Sequence, residues 1–289
     1  MTRTKPVQLL LLFFTAVLLW WHPVVATFRL AISSDAYTYI LLILPLSVAL
    51  IFFEIRNVAM VRESGRWFGA ILLSSALLLL TCTVLNPWHL SSTENLSISI
   101  GALVMWWIGS VVLSFGLDAL RSLLFPLCFL FLVVPIPEPA VAWVTTVLQR
   151  QSASASSVLF HLFGVPVVRD GIVLSIPGLT IEVAQECSSI RSSTMLVVVS
   201  LILAHLFLRS DWRKTVLVLA AIPLSILKNA VRILTIAELG TRVNPSFLHG
   251  RLHRHGGVVF LSMAVLAILF LLCFLRKSEA GSSEPASDC

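Results

Sequence analysis

The sequence predicts an all-α integral membrane protein of about eight transmembrane helices, with one small extracytoplasmic segment of helix and β-hairpin. Apolar runs long enough to cross a bilayer as helices recur along the 289 residues. Hydrophobic residues make up 58% of the chain and charged residues 12%, with mean hydropathy +0.97, which leaves too little polar surface to cover a soluble globule. Lysine and arginine fall in alternate connections, the pattern that the positive-inside rule requires of cytoplasmic loops.

Apolar length places the spans at about 7–25, 37–54, 67–85, 97–116, 119–136, 190–208, 215–236 and 257–275. The first follows Met1-Thr-Arg-Thr-Lys5 and has no clear small-residue cleavage site, so it reads as a retained helix rather than a signal peptide. Arg3 and Lys5, Arg56, Arg62 and Arg66, Arg121, Arg209, Arg213 and Lys214, and Arg276 and Lys277 mark the cytoplasmic side, and both termini are expected there. The opposite connections are poor in cations and include 137–189. One polytopic membrane domain is expected over 1–277 in the cell membrane, followed by a short polar, disordered tail at 278–289.

The net charge of +6 and pI near 9.4 do not indicate a nucleic-acid partner, because the cations are spread over loop ends rather than gathered on one basic face. Cysteines at 82, 128, 187, 273 and 289 include no CxxC pair, so neither a disulfide framework nor a metal site is expected, and no cofactor is implied.

The segment 137–189 is the largest stretch outside the spans. Trp143 to Phe163 has helical apolar spacing broken by Gln149-Arg150-Gln151-Ser152, which predicts a helix lying at the membrane interface. Ile172-Val-Leu-Ser-Ile and Leu179-Thr-Ile-Glu-Val alternate on either side of Pro177-Gly178, a β-hairpin signal. Two strands alone are marginal, so the hairpin is expected to pack on helices. Cys187 follows it directly, at the junction with the next span, where a thiolate nucleophile can be both rigidly held and open to water.

Two further clusters are expected at the same outer edge. Lys228, Asn229 and Arg232 interrupt an apolar span, and Lys228 and Arg232 are four residues apart on one helical face. Ionisable groups at that depth are costly and normally face a bundle interior or wet cavity; the competing reading for Arg232 is a side chain that snorkels to the surface. His249, His253 and His255 precede the last span. They match no common zinc spacing, but any of them can serve as the base for a thiol.

Glu186-Cys187-Ser-Ser-Ile-Arg191-Ser, Asn229-Ala-Val-Arg232-Ile, and His253 with Gly257 and Phe260 occur in that order on successive outer edges, and over roughly 35–275 the chain resembles the exosortase/archaeosortase family. Ser189 departs from the pattern, standing where a glycine is common. The resemblance implies a membrane cysteine transpeptidase that cuts a C-terminal sorting signal of the PEP-CTERM type and transfers the exported protein to a membrane lipid or other surface acceptor. It implies Cys187 as nucleophile, Arg232 as the cation of the site and His253 as the base, with Glu186, Arg191, Lys228 and Asn229 as possible supporting residues. A cysteine protease with water as acceptor would use the same residues. A non-enzymic channel or transporter would need no thiol, and the inverted repeat or paired broken helices of many transporters are not visible.

Overall fold

The computed structural model describes residues 4–54, 65–85, 89–183, 190–244 and 251–281, without the side chains of 4–6, 251–256, 280 and 281. The chain divides into two compact units, Met1–Val141 and Ala142–Cys289. It is a multi-pass membrane protein. Among the described residues six helices are continuous, long and apolar enough to cross a membrane, or up to eight spans if each of two sharply bent helix pairs counts as one.

In the first unit, α1 (Thr4–Leu19) and α2 (Trp21–Ser33) form one of those pairs, bent by 70°. The sequence predicts a single helix over 7–25; Pro23 prevents it, because a proline inside a helix lacks the N–H and its ring meets the carbonyl four residues earlier, here that of Leu19. At the bend Trp20 is fully buried and its Nε1 donates to the Ser99 carbonyl at 2.8 Å. Helix α3 (Ile40–Glu54) follows a 3-10 turn, and α4 (Arg66–Leu85) packs closely on α5 (Ser92–Phe115). A Cβ on Gly69 would lie 2.6 Å from the Leu113 backbone nitrogen, so this contact requires glycine. The Ser91 and Glu94 capping box opens α5.

The predicted helix over 119–136 is also corrected. The chain instead forms two short helices, α6 (Leu117–Ser122) and α7 (Leu124–Phe129), and a 3-10 turn at Leu130–Val133. Gly116, at φ 88, separates α6 from α5, and Pro135 and Pro137 push their preceding residues out of helical geometry. Between Leu124–Val133 and the next long helix, α8 (Glu138–Leu162), the direction changes by 93°.

In the second unit, α8 is the predicted helix of 143–163, started five residues earlier. The expected hairpin is present as β2 (Val173–Ile176) and β3 (Leu179–Glu182), paired from Ile176 with Leu179 through a turn in which Gly178 has φ 81. A third strand, β1 (Val168–Asp170), pairs antiparallel with β2 and was not predicted; its three residues are all exposed, so it carries no apolar alternation. Leu174 and Ile176 bury against Ala153 and Phe160 of α8, and the same cluster includes Ile233, Leu234 and Ala237 from α10 (Asp211–Arg242). The hairpin thus packs on helices as expected.

Helix α9 (Ile190–Phe207), α10 and α11 (Arg251–Gly281) share a second core around Leu196, Leu217, Ala221, Ala264 and Ile268. Ser210, the N-cap of α10, makes no side-chain cap; the Glu279 carboxylate of α11 accepts instead from the backbone N–H groups of Ser210 (2.6 Å) and Arg209 (3.1 Å). Arg213, 8% exposed, pairs with the same carboxylate at 3.5 Å and donates to the Ser278 carbonyl at 3.2 Å. Helix α11 runs to Gly281, so the first residues of the segment expected to be a disordered tail, from 278, are helical.

Candidate functional site

Ser225, Lys228, Asn229 and Arg232 follow one another on α10 at the i, i+3, i+4, i+7 spacing of a single helical face. All four are buried, with exposures of 1%, 8%, 0% and 7%. Arg232 therefore does not snorkel. This face meets α9 and α8. Lys228 Nζ donates to Ser192 Oγ, and Ser193 and Ser225 join their hydroxyls at 2.5 Å. Asn229 Nδ2 reaches Ser152 Oγ of α8 at 3.5 Å.

These pairings fix how α9 and α10 align. Ser193 with Ser225 and Ser192 with Lys228 show the two helices running antiparallel, with the first turn of α9 against the middle of α10. Arg232 lies one further turn along α10, about 6 Å beyond Lys228 at the helical rise of 1.5 Å per residue. Arg191, in the same first turn of α9, is exposed, whereas Ser192 and Ser193 are buried.

A second tie reaches the chain just before the predicted nucleophile. Gln149 of α8, 8% exposed, donates from Nε2 to the carbonyl of Val183 at 2.9 Å. A buried amide that meets a backbone carbonyl is a satisfied group, and it fixes the end of β3 to α8.

Cys187, Glu186 and His249 lie outside the described residues. His253 and His255 belong to the first turns of α11, where the backbone but not the side chains is described. One helical turn after His253, a Cβ built on Gly257 would meet nothing within 4 Å. The structure thus brings Lys228, Asn229 and Arg232 together inside the bundle and leaves Arg191 at its surface.

Gln149, Ser152, Ser192, Ser193 and Ser225 were not singled out from the sequence. The signal was available: Ser225 extends the polar stripe of α10 by one turn, and Gln149 and Ser152 are three apart in a helix whose polar run reads as interfacial. Half of that run faces inward, since Gln149 and Ser152 are buried while Arg150 and Gln151 are exposed.

The fold and this cluster define a class: a multi-pass membrane protein that buries two basic side chains among serines and an asparagine on one face of a spanning helix. The family description transmembrane exosortase (Exosortase_EpsH) matches residues 20–271, and the chain belongs to that family. Neither the curated proteins nor the solved structures gave a match.

Proposed function

We propose that the protein is a cysteine transpeptidase that cuts the C-terminal sorting signal of exported proteins and transfers them to a surface acceptor. The observation that carries this reading is the buried cation Arg232, on a helix face that grips the first turn of α9, in a chain of this family. Cys187 stands three residues before Ile190, so its Cα lies within about 11 Å of the start of α9 by the reach of an extended chain. Counting from the Ser210–Glu279 contact at equal rise, Arg232 is level with about residue 257 of α11, one turn from His253.

In this reading the Cys187 thiolate attacks the substrate carbonyl, and His253 sets the thiolate and then protonates the leaving amine. The Arg232 guanidinium holds the oxyanion or an acidic group of the signal. Surrounding helices limit water, which favours transfer over hydrolysis. The second unit would present this site on the extracytoplasmic side of the cell membrane, with both termini cytoplasmic and the sorting-signal helix as the partner.

The test is the product from a co-expressed protein ending in a Pro-Glu-Pro-like motif, an apolar helix and a basic tail. Wild type should yield a product heavier than the hydrolysed form by an acceptor, and Cys187→Ala should leave the precursor intact at equal protein level. A product with a free new carboxyl end would make the enzyme a protease, and full processing by Cys187→Ala would end the enzymatic reading. Membrane-impermeant thiol reagents should label Cys187 and not Cys289; the reverse pattern would overturn the orientation.

A further inference from the structure

The 70° bend between α1 and α2 leaves a space in the first unit that no step above uses: a cavity of about 110 Å³ in the elbow, walled by α1, α2, α3 and α5. Its floor is closed, since Ile100 and Leu103 of α5 line it and are only 1% and 3% exposed. Its mouth is open, where Val17, Trp21 and Phe28 are exposed. The wall is almost wholly apolar. The Thr27 hydroxyl already donates to the Pro23 carbonyl at 2.9 Å and Trp107 Nε1 is buried, so the space does not offer the roughly two to four polar partners that a water needs.

Depth decides what meets the mouth. Helix α5 is 24 residues long, about 36 Å at 1.5 Å per residue, against a hydrocarbon layer of about 30 Å. Ile100 and Trp107 follow Ser92 by eight and fifteen residues, which places them about 12 and 22 Å along the helix and centres the cavity near the middle of the span. The ends of the acyl chains lie there, where the two leaflets meet. Size agrees with depth, because an engineered apolar cavity of about 150 Å³ holds one benzene, so this space takes the last few carbons of a chain and excludes a head group. We propose that the cavity binds the end of one lipid acyl chain, which enters between Val17, Trp21 and Phe28 and stops against Ile100 and Leu103. The bound chain supplies the dispersion contacts that an empty elbow forfeits. The proposal is independent of the Cys187 reading, since every residue in it belongs to the first unit.

The test places the full chain in bilayers of phosphatidylcholine that carries a photoactivatable diazirine, either on the last carbon of one acyl chain or beside its ester group. After irradiation the adducts are mapped by mass spectrometry of the peptides. The chain-end probe should label Ile100 or Leu103, which chains of the bulk bilayer do not touch, as well as the exposed Ile71 and Leu78 of α4, which report ordinary lipid contact. The ester-side probe, held near the surface about 15 Å away, should label the floor about tenfold less. Val17→Trp narrows the mouth and Val24→Phe fills the interior, so each should lower floor labelling by about tenfold and leave the α4 labelling unchanged.

Floor labelling that the variants leave at the wild-type level would overturn the proposal. So would labelling of α4 and the mouth without the floor, which would give the space to a protein side chain or leave it empty. Equal floor labelling by the two probes would overturn it as well, because the site would then not select the chain end. If Val24→Phe fails to insert, Val17→Trp reads the same site from an exposed position.

Discussion

The first turn of α10 and its stretch from Ser225 to Arg232 both bury basic side chains, but they surround them with different chemistry. At the first turn Arg213 meets the Glu279 carboxylate, which also caps the helix N-terminus, and Ser278 accepts a further hydrogen bond. These contacts join α10 to α11. Fifteen residues on, Lys228 meets a hydroxyl, and serines and an asparagine line the same face. A carboxylate stabilises a cation and uses it up; a hydroxyl leaves its charge or its proton available. The first cluster is a joint and the second has the composition of a working site, which means burial of a cation does not by itself identify function.

The sharpest test of that contrast is Arg232. If its planar fork of donors holds an oxyanion or a carboxylate, Arg232→Lys should lower processing by about a hundredfold at matched protein level, the scale seen when one oxyanion donor is lost. Wild-type processing by the lysine variant would reduce Arg232 to a structural charge and erase the difference between the two clusters.

A comparable loss is expected from one histidine only. His253→Ala should fall to near-background processing, while His249→Ala and His255→Ala retain most of theirs, and the pH dependence of Cys187 alkylation should move to higher pH in the first variant alone. Loss in either of the other two would reassign the base.

The joint should behave in the opposite way. Arg213→Ala removes the cation from a partly buried pair and should lower the melting temperature by roughly 5 °C, with activity per folded molecule within about twofold of wild type. A specific loss of activity at unchanged melting temperature would show that the first turn takes part in the chemistry. The smallest effect belongs to Ser225→Ala, which removes one hydroxyl from the Ser193 contact and should cost about 1 kcal/mol of stability.

Much of the architecture was legible in the sequence because a bilayer imposes length and apolarity on each span. The limits of α4, α5 and α9 fall near the apolar runs that predicted them. Proline at positions 23, 135 and 137 was visible too, but counting apolar length treats it as neutral, so two bent elements read as straight ones. Helix α10 extends past the predicted 215–236 at both ends because polar residues continue a helix without adding to its hydropathy. Of the site, Lys228, Asn229 and Arg232 were legible because charge is conspicuous inside a span. Serine is not conspicuous there: it satisfies its own hydroxyl on a carbonyl one turn back, as Ser200 does on Leu196, and so carries little signal until a partner helix is known.

The hydrogen bond from Gln149 to Val183 has a consequence for how the six residues 184–189 can be altered. They connect two anchored points, the end of β3 on one side and Ile190 of α9 on the other. A tether with both ends fixed restricts the volume that any group on it can explore, and a smaller volume is a higher local concentration at the facing helices. Each residue inserted there enlarges that volume and dilutes the group, with no side chain changed. The reactivity of the proposed nucleophile Cys187 is therefore expected to depend on the number of residues between those two anchors, as the rate of a ring closure depends on the number of atoms in the ring.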